Sequence, residues 1–181
     1  MIDLRVIGKV EDGLLKVEYK LENRGTSPLI AFDGAPGAGS PVPDLSRMIL
    51  VSYAIEDLKL LRVIPQPPPG TMVESARIPL VSQTDPGKSR HVKFSLPVPV
   101  REFNDWTPDF KDATYEKHVV PMITLVIGCF WKTPATVLKP AGAPELLRLH
   151  AGMEPEQRVQ ASFRVDVEVE ARTDSKFLRA R

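Results

Sequence analysis

The chain has 181 residues, is 43% hydrophobic and carries 24 basic against 23 acidic side chains. This is enough apolar content for one packed domain, which excludes a disordered chain, and the charge is too balanced for an electrostatic footprint on nucleic acid or anionic lipid. A single cysteine, Cys129, excludes an internal disulfide, so the fold stands on packing alone.

The opening Met1-Ile2-Asp3-Leu4-Arg5 has no basic segment followed by an apolar one. The longest apolar run, 119–131, is too short to span a bilayer as a helix. A cytoplasmic protein without a membrane span is expected, or an exported one if a leader has been removed.

At the N-terminus, Ile2, Leu4, Val6 and Val10 alternate with polar residues, as do Leu15, Val17, Tyr19 and Leu21, and Asp12-Gly13 lies between the two runs. Asp-Gly between alternating hydrophobics predicts a hairpin with a type I′ turn, which needs positive φ at both central residues. That turn pairs Val10 with Leu15, Val6 with Tyr19 and Leu4 with Leu21, so the dry faces coincide. It also sets Lys9 against Lys16 and Arg5 against Lys20, with the diagonals from Lys9 to Glu18 and from Arg5 to Glu18 or Glu22 as relief.

A turn at 23–28 precedes a short strand over 29–32 and a glycine and proline loop over 33–43. Strands are then predicted over 48–55, with Ile49, Val51, Tyr53 and Ile55 in phase, and over 58–64, ended by the prolines of 65–70. Residues 72–81 read as an edge strand because Pro79 falls inside it. Residues 91–100 alternate with Pro97 and Pro99 outward, again an edge.

Residues 119–131 are apolar on both phases, which marks a central strand or one whose outer face a subunit covers. Residues 146–150 read as a strand in preference to a helical turn from Glu145. The clearest pattern is the last: 158–172 alternates without exception, with Val159, Ala161, Phe163, Val165, Val167, Val169 and Ala171 on one face.

Half-dry strands belong to antiparallel sheets over a core. The expected architecture is one all-β domain over 1–181, a two-sheet antiparallel β-sandwich of about eight to ten strands with at most short helical turns. A 69-residue offset aligns Leu80 with Leu149, Phe94 with Phe163 and Val100 with Val169, either an internal repeat or the ordinary likeness of two sandwich hairpins.

The stretches Leu15-Lys16-Val17-Glu18-Tyr19-Lys20-Leu21-Glu22-Asn23, Asp85-Pro86-Gly87-Lys88 and His91-Val92-Lys93-Phe94-Ser95-Leu96 resemble the immunoglobulin-like and fibronectin type III-like group of sandwiches. The paired cysteines and core tryptophan of antibody domains are missing. The resemblance implies binding of proteins or carbohydrates and no catalytic residue.

Gly34-Ala35-Pro36-Gly37-Ala38-Gly39-Ser40 lacks the lysine and the following helix of a phosphate-cradling loop, so it reads as a connection. His91, His118 and His150 stand too far apart in sequence for metal-ligand spacing, and Asp105, Asp109 and Asp112 do not match a calcium loop. Cys129 falls in phase with Ile123, Leu125 and Ile127 as a buried small hydrophobe. Ser40, Ser82 and Ser89 sit in turn-like sequence without a nucleophile elbow.

No metal or cofactor is expected. The remaining candidate is 102–118, a loop in which Phe103, Trp106, Asp109, Phe110, Tyr115 and His118 form a ligand or partner surface, or in which a helix begun at Thr107-Pro108-Asp109 plugs the sandwich with Trp106 and Phe110. The functional expectation is a non-catalytic binding module for a protein partner or a second copy. The alternatives are a carbohydrate or small-ligand binder using 102–118, and a hydrolase using loop carboxylates.

Overall fold

The computed structural model describes residues 1–34, 50–54, 57–65, 78–103, 114–142 and 145–173, and among these every regular element is a strand. The described residues form twelve strands, more than the eight to ten expected.

β1 (Ile2–Glu11) and β2 (Leu14–Asn23) form the predicted hairpin in the predicted register, Val10 on Leu15 and Leu4 on Leu21. Asp12 and Gly13 take φ of 54° and 71°, the conformation the turn demands. The like charges are relieved differently from expectation: Lys9 and Lys16 both reach Glu11, Arg5 reaches Asp3, and Glu18 pairs with Lys93 instead. These exposed pairs each contribute little, about 0–1 kcal/mol.

The remaining strands are β3 (Leu29–Gly34), β4 (Leu50–Ala54), β5 (Asp57–Arg62), β6 (Leu80–Thr84), β7 (Ser89–Pro97), β8 (Val100–Arg101), β9 (Tyr115–Trp131), β10 (Val137–Pro140), β11 (Leu147–Ala151) and β12 (Gln157–Arg172). β1, β2 and β7 make a three-stranded sheet with β7 at its edge, as its outward prolines predict. The other nine strands form a larger sheet ordered β10-β11-β6-β3-β9-β12-β8, with β5 beside β9 and β4 beside β5.

Three expectations are corrected here. The sheets are not wholly antiparallel, since β5 runs parallel to β9 and β8 parallel to β12. Of the edge strand expected over 72–81, residues 72–77 lie outside the described residues, and the strand described, β6 from Leu80, is internal, between β11 and β3, because Pro79 precedes it and removes no ladder donor from it. Ser82 is buried within β6, not in a turn.

The two sheets share a core. Leu15, Val17, Tyr19 and Leu21 of β2 and Val92, Phe94 and Leu96 of β7 meet Leu58 and Leu60 of β5, Ile123, Leu125, Ile127 and Cys129 of β9, and Val167 and Val169 of β12. Each such buried side chain contributes roughly 1.5–3 kcal/mol. The opposite face of the larger sheet holds a second, smaller core of Ile30, Phe32, Ile64, Val81 and Phe130, flanked by Leu138, Leu147 and Leu149. Ile123–Phe130 of β9 is therefore buried on both faces within one chain, and the two-phase apolar pattern needs no subunit to cover it.

The ladder between β9 and β12 contains one irregularity. Arg164 pairs with Met122 and Val167 with Val120, so Val165 and Asp166 stand against Pro121 alone. Pro121 has no N–H to donate, and an extra residue opposite it is a β-bulge. β12 keeps its alternation across the bulge, whereas β9 does not: the core positions run Cys129, Ile127, Leu125 and Ile123, then Val120. The echo positions Val100 and Val169 lie side by side in the parallel pairing of β8 with β12. No helix among the described residues is long and apolar enough to cross a membrane.

Candidate functional site

Two groups of side chains carry chemistry. The first lies where β4, the end of β8 and the start of β9 converge. β9 begins at Tyr115, so Tyr115 and His118 belong to a strand and not to the loop expected over 102–118. Phe103 pairs its backbone with Val51, with hydrogen bonds of 2.8 and 3.1 Å, and its side chain is 40% exposed. Two residues along β4, Tyr53 stacks on His118 with ring centroids 5.0 Å apart and planes 17° apart.

His118 Nε2 lies 3.6 Å from Glu116 Oε2. The Arg101 guanidinium sits 4.7 Å from the centre of the Tyr115 ring and pairs with Glu170 at 2.9 Å. Val119 points outward, 67% exposed. Of the six predicted site residues, Phe103, Tyr115 and His118 are thus brought to one end of the larger sheet. Trp106, Asp109 and Phe110 lie outside the described residues, as does the helix start at 107–109. Tyr53, which the sequence marked only as a strand residue, completes the group.

The second group lies between the sheets, and the sequence reading missed it. Asp33 at the end of β3 is almost wholly buried, and so is Arg62 at the end of β5. Arg62 Nη1 donates to Asp33 Oδ1 and, at 3.1 Å, to the Tyr19 hydroxyl, which itself donates to Asp33 Oδ1 at 2.8 Å. Arg90 of β7 brings Nε to 2.6 Å from Asp33 Oδ2, a close ionic contact outside hydrogen-bond alignment, and its Nη1 donates to the exposed Glu145 at 2.9 Å. The Arg62 guanidinium carbon lies 5.3 Å from the ring centre of Tyr19 and 4.9 Å from that of Phe94.

Burial alone would raise the Asp33 pKa. The charges of Arg62 and Arg90 and the Tyr19 hydroxyl outweigh it and hold the carboxyl below its ordinary range. Burial pushes the Tyr19 phenol up, so it stays a neutral donor. Cys129, buried in the core, is pushed up to about 11 by desolvation and then by Glu156, which leaves a protonated, unreactive thiol.

A signal for this cluster did exist. Arg62 is in phase with Leu58 and Leu60, Arg90 with Val92 and Phe94, and Asp33 with Leu29 and Ala31. Three charges on the dry phase of three strands have to find one another. The described residues hold no group of three or more His, Cys, Asp or Glu arranged for a metal ion.

In comparison with known proteins, no family model matches the chain, no curated protein matches it in sequence and no solved structure matches it in fold.

Proposed function

We propose that this protein is a non-catalytic recognition module whose contact surface is the aromatic end of the larger sheet, and that its partner is a protein. The observation that carries the proposal is the placement of Phe103, a large apolar side chain left exposed on the face that carries the half-exposed Tyr53 and His118 stack, with Val119 exposed on the other face of the same sheet end. Rigid aromatics beside Glu116, with Arg101 and Lys117 on the other face of the sheet end, have the anatomy of an interface centre, in which desolvated rings supply affinity and charges set orientation. In architecture we read the two sheets as a lopsided immunoglobulin-like sandwich that departs from the usual pattern by its two parallel pairings. Buried, unpaired Cys129 fits a reducing, cytoplasmic setting.

The test is light scattering over a wide concentration range on the wild type and on Phe103→Asp and Val119→Asp. A mass that grows with concentration in the wild type and stays monomeric in the variants makes the partner a second copy; a constant monomer removes that partner. A second reading, carbohydrate binding, is favoured by the same stacked rings, since sugar faces pack on aromatics. Resonance shifts confined to Tyr53, Phe103 and His118 on adding oligosaccharides would replace the protein by a sugar.

A further inference from the structure

Arg62 uses only one corner of its guanidinium. Nη1 serves Asp33 and Tyr19, whereas Nε and Nη2 are buried and meet no acceptor among the described residues. These two nitrogens form the side-on edge of the group, two parallel N–H donors spaced to fit the two oxygens of a carboxylate or phosphate. A buried guanidinium with an open edge is costly, since each unmade bond to a charged group costs about 1–3 kcal/mol or more.

The charge count points the same way. Among the described residues, two guanidiniums, Arg62 and Arg90, converge on a single buried carboxylate, Asp33, and the other acid in reach, Glu145, is 75% exposed and pairs with Arg90 alone. Among the described residues the interior of the cluster therefore holds one positive charge more than negative. Uncompensated buried charge is expensive, and a bound anion would cancel it. Tyr19 cannot supply the missing charge, because its phenol stays protonated. The Arg62 guanidinium carbon lies over the rings of Tyr19 and Phe94, which occupy the side toward the smaller sheet, and the unused donors lie along its edge.

We propose that the Nε–Nη2 edge of Arg62 is an oxyanion site, taking a carboxylate or phosphate group edge-on between the two sheets. Arg90, the partly exposed arm of the cluster, marks the side from which the ligand enters.

The test uses the whole wild-type protein with inorganic phosphate and, separately, acetate, each against sodium chloride at equal ionic strength. At about 100-fold excess over Kd, the favoured anion raises Tm by roughly 5–10 °C in a saturable manner. The Arg62 Nε–H resonance shifts along the same titration curve. Phosphate and acetate arms separate the two chemistries by which one saturates first. Arg62→Lys keeps the charge but loses the edge, and weakens binding about ten-fold or more.

The proposal is overturned if Tm is the same in phosphate, acetate and chloride, or if Arg62→Lys responds as the wild type does. Should that variant fail to fold, the wild-type resonance decides: a stationary Arg62 Nε–H with a cross-peak to water means that the edge is solvated, and the site is rejected.

Discussion

The cluster around Asp33 and the aromatic end around His118 are assembled from the same kinds of residue: rings, arginines and carboxylates. Their settings differ. In the first, Asp33 and Arg62 are buried between two sheets and their strands supply the dry phase. In the second, the rings are half exposed and the charges pair at a sheet end in contact with solvent. What separates the two groups is the strand phase on which a side chain falls, because phase decides whether a charge must be compensated inside the molecule or is left to water.

If the contrast is right, Asp33→Asn has the largest effect, a loss of roughly 3–5 kcal/mol in urea unfolding, because it strands two guanidiniums without their anion. A variant as stable as the wild type would make the cluster incidental. The same carboxylate sets a pH dependence. Its folded pKa lies below the ordinary 3.8, so its contribution is complete above that value and is lost as pH falls through the depressed one. The acid limb of the wild type should carry this slope and the Asn variant should not.

Gly8→Ala comes next. A Cβ there would overlap the Phe163 ring, which has to yield, at a cost of roughly 1–3 kcal/mol. Urea unfolding of this variant tests whether β1 is held against β12 by that close approach. Tyr53→Leu, which keeps apolar bulk against the core but loses the ring pair with His118, should cost only about 0.5–1.5 kcal/mol. A loss as large as that of Asp33→Asn would erase the distinction between the two regions. Val119→Thr should change thermal stability by less than about 0.5 kcal/mol, as befits an outward side chain.

Much of this fold was legible from side-chain phase. The hairpin followed from Asp12-Gly13 and two alternating runs, down to its register, because turn and hydrophobic face specify the same pairing. The buried Cys129 and the central position of β9 followed from the apolar residues around them. The parallel pairings did not, since β5 meets β9 across more than sixty residues of sequence and no local pattern encodes that choice.

The aromatic end was half legible. Phe103, Tyr115 and His118 were named, but as loop residues, because Tyr115–Val120 carries charges on an outward face and lacks the continuous apolar run of the rest of β9. The interior cluster escaped notice because charged residues were read as surface, although Arg90 stood on the dry phase of an otherwise clean alternation and Arg62 stood in phase with Leu58 and Leu60.

The bulge at Val165 and Asp166 makes chain length, not composition, the guardian of this surface. β12 alternates perfectly and β9 does not, and the two agree only because one strand holds a residue more than the other at Pro121. Delete Asp166 and the ladder closes without a break, but every residue beyond it trades sides. Val120, Val167 and Val169 would face water, and Glu168 and Glu170 would face the core. No substitution at the aromatic end changes as much as that single deletion, and a chain that drifts freely in sequence there must still keep its count.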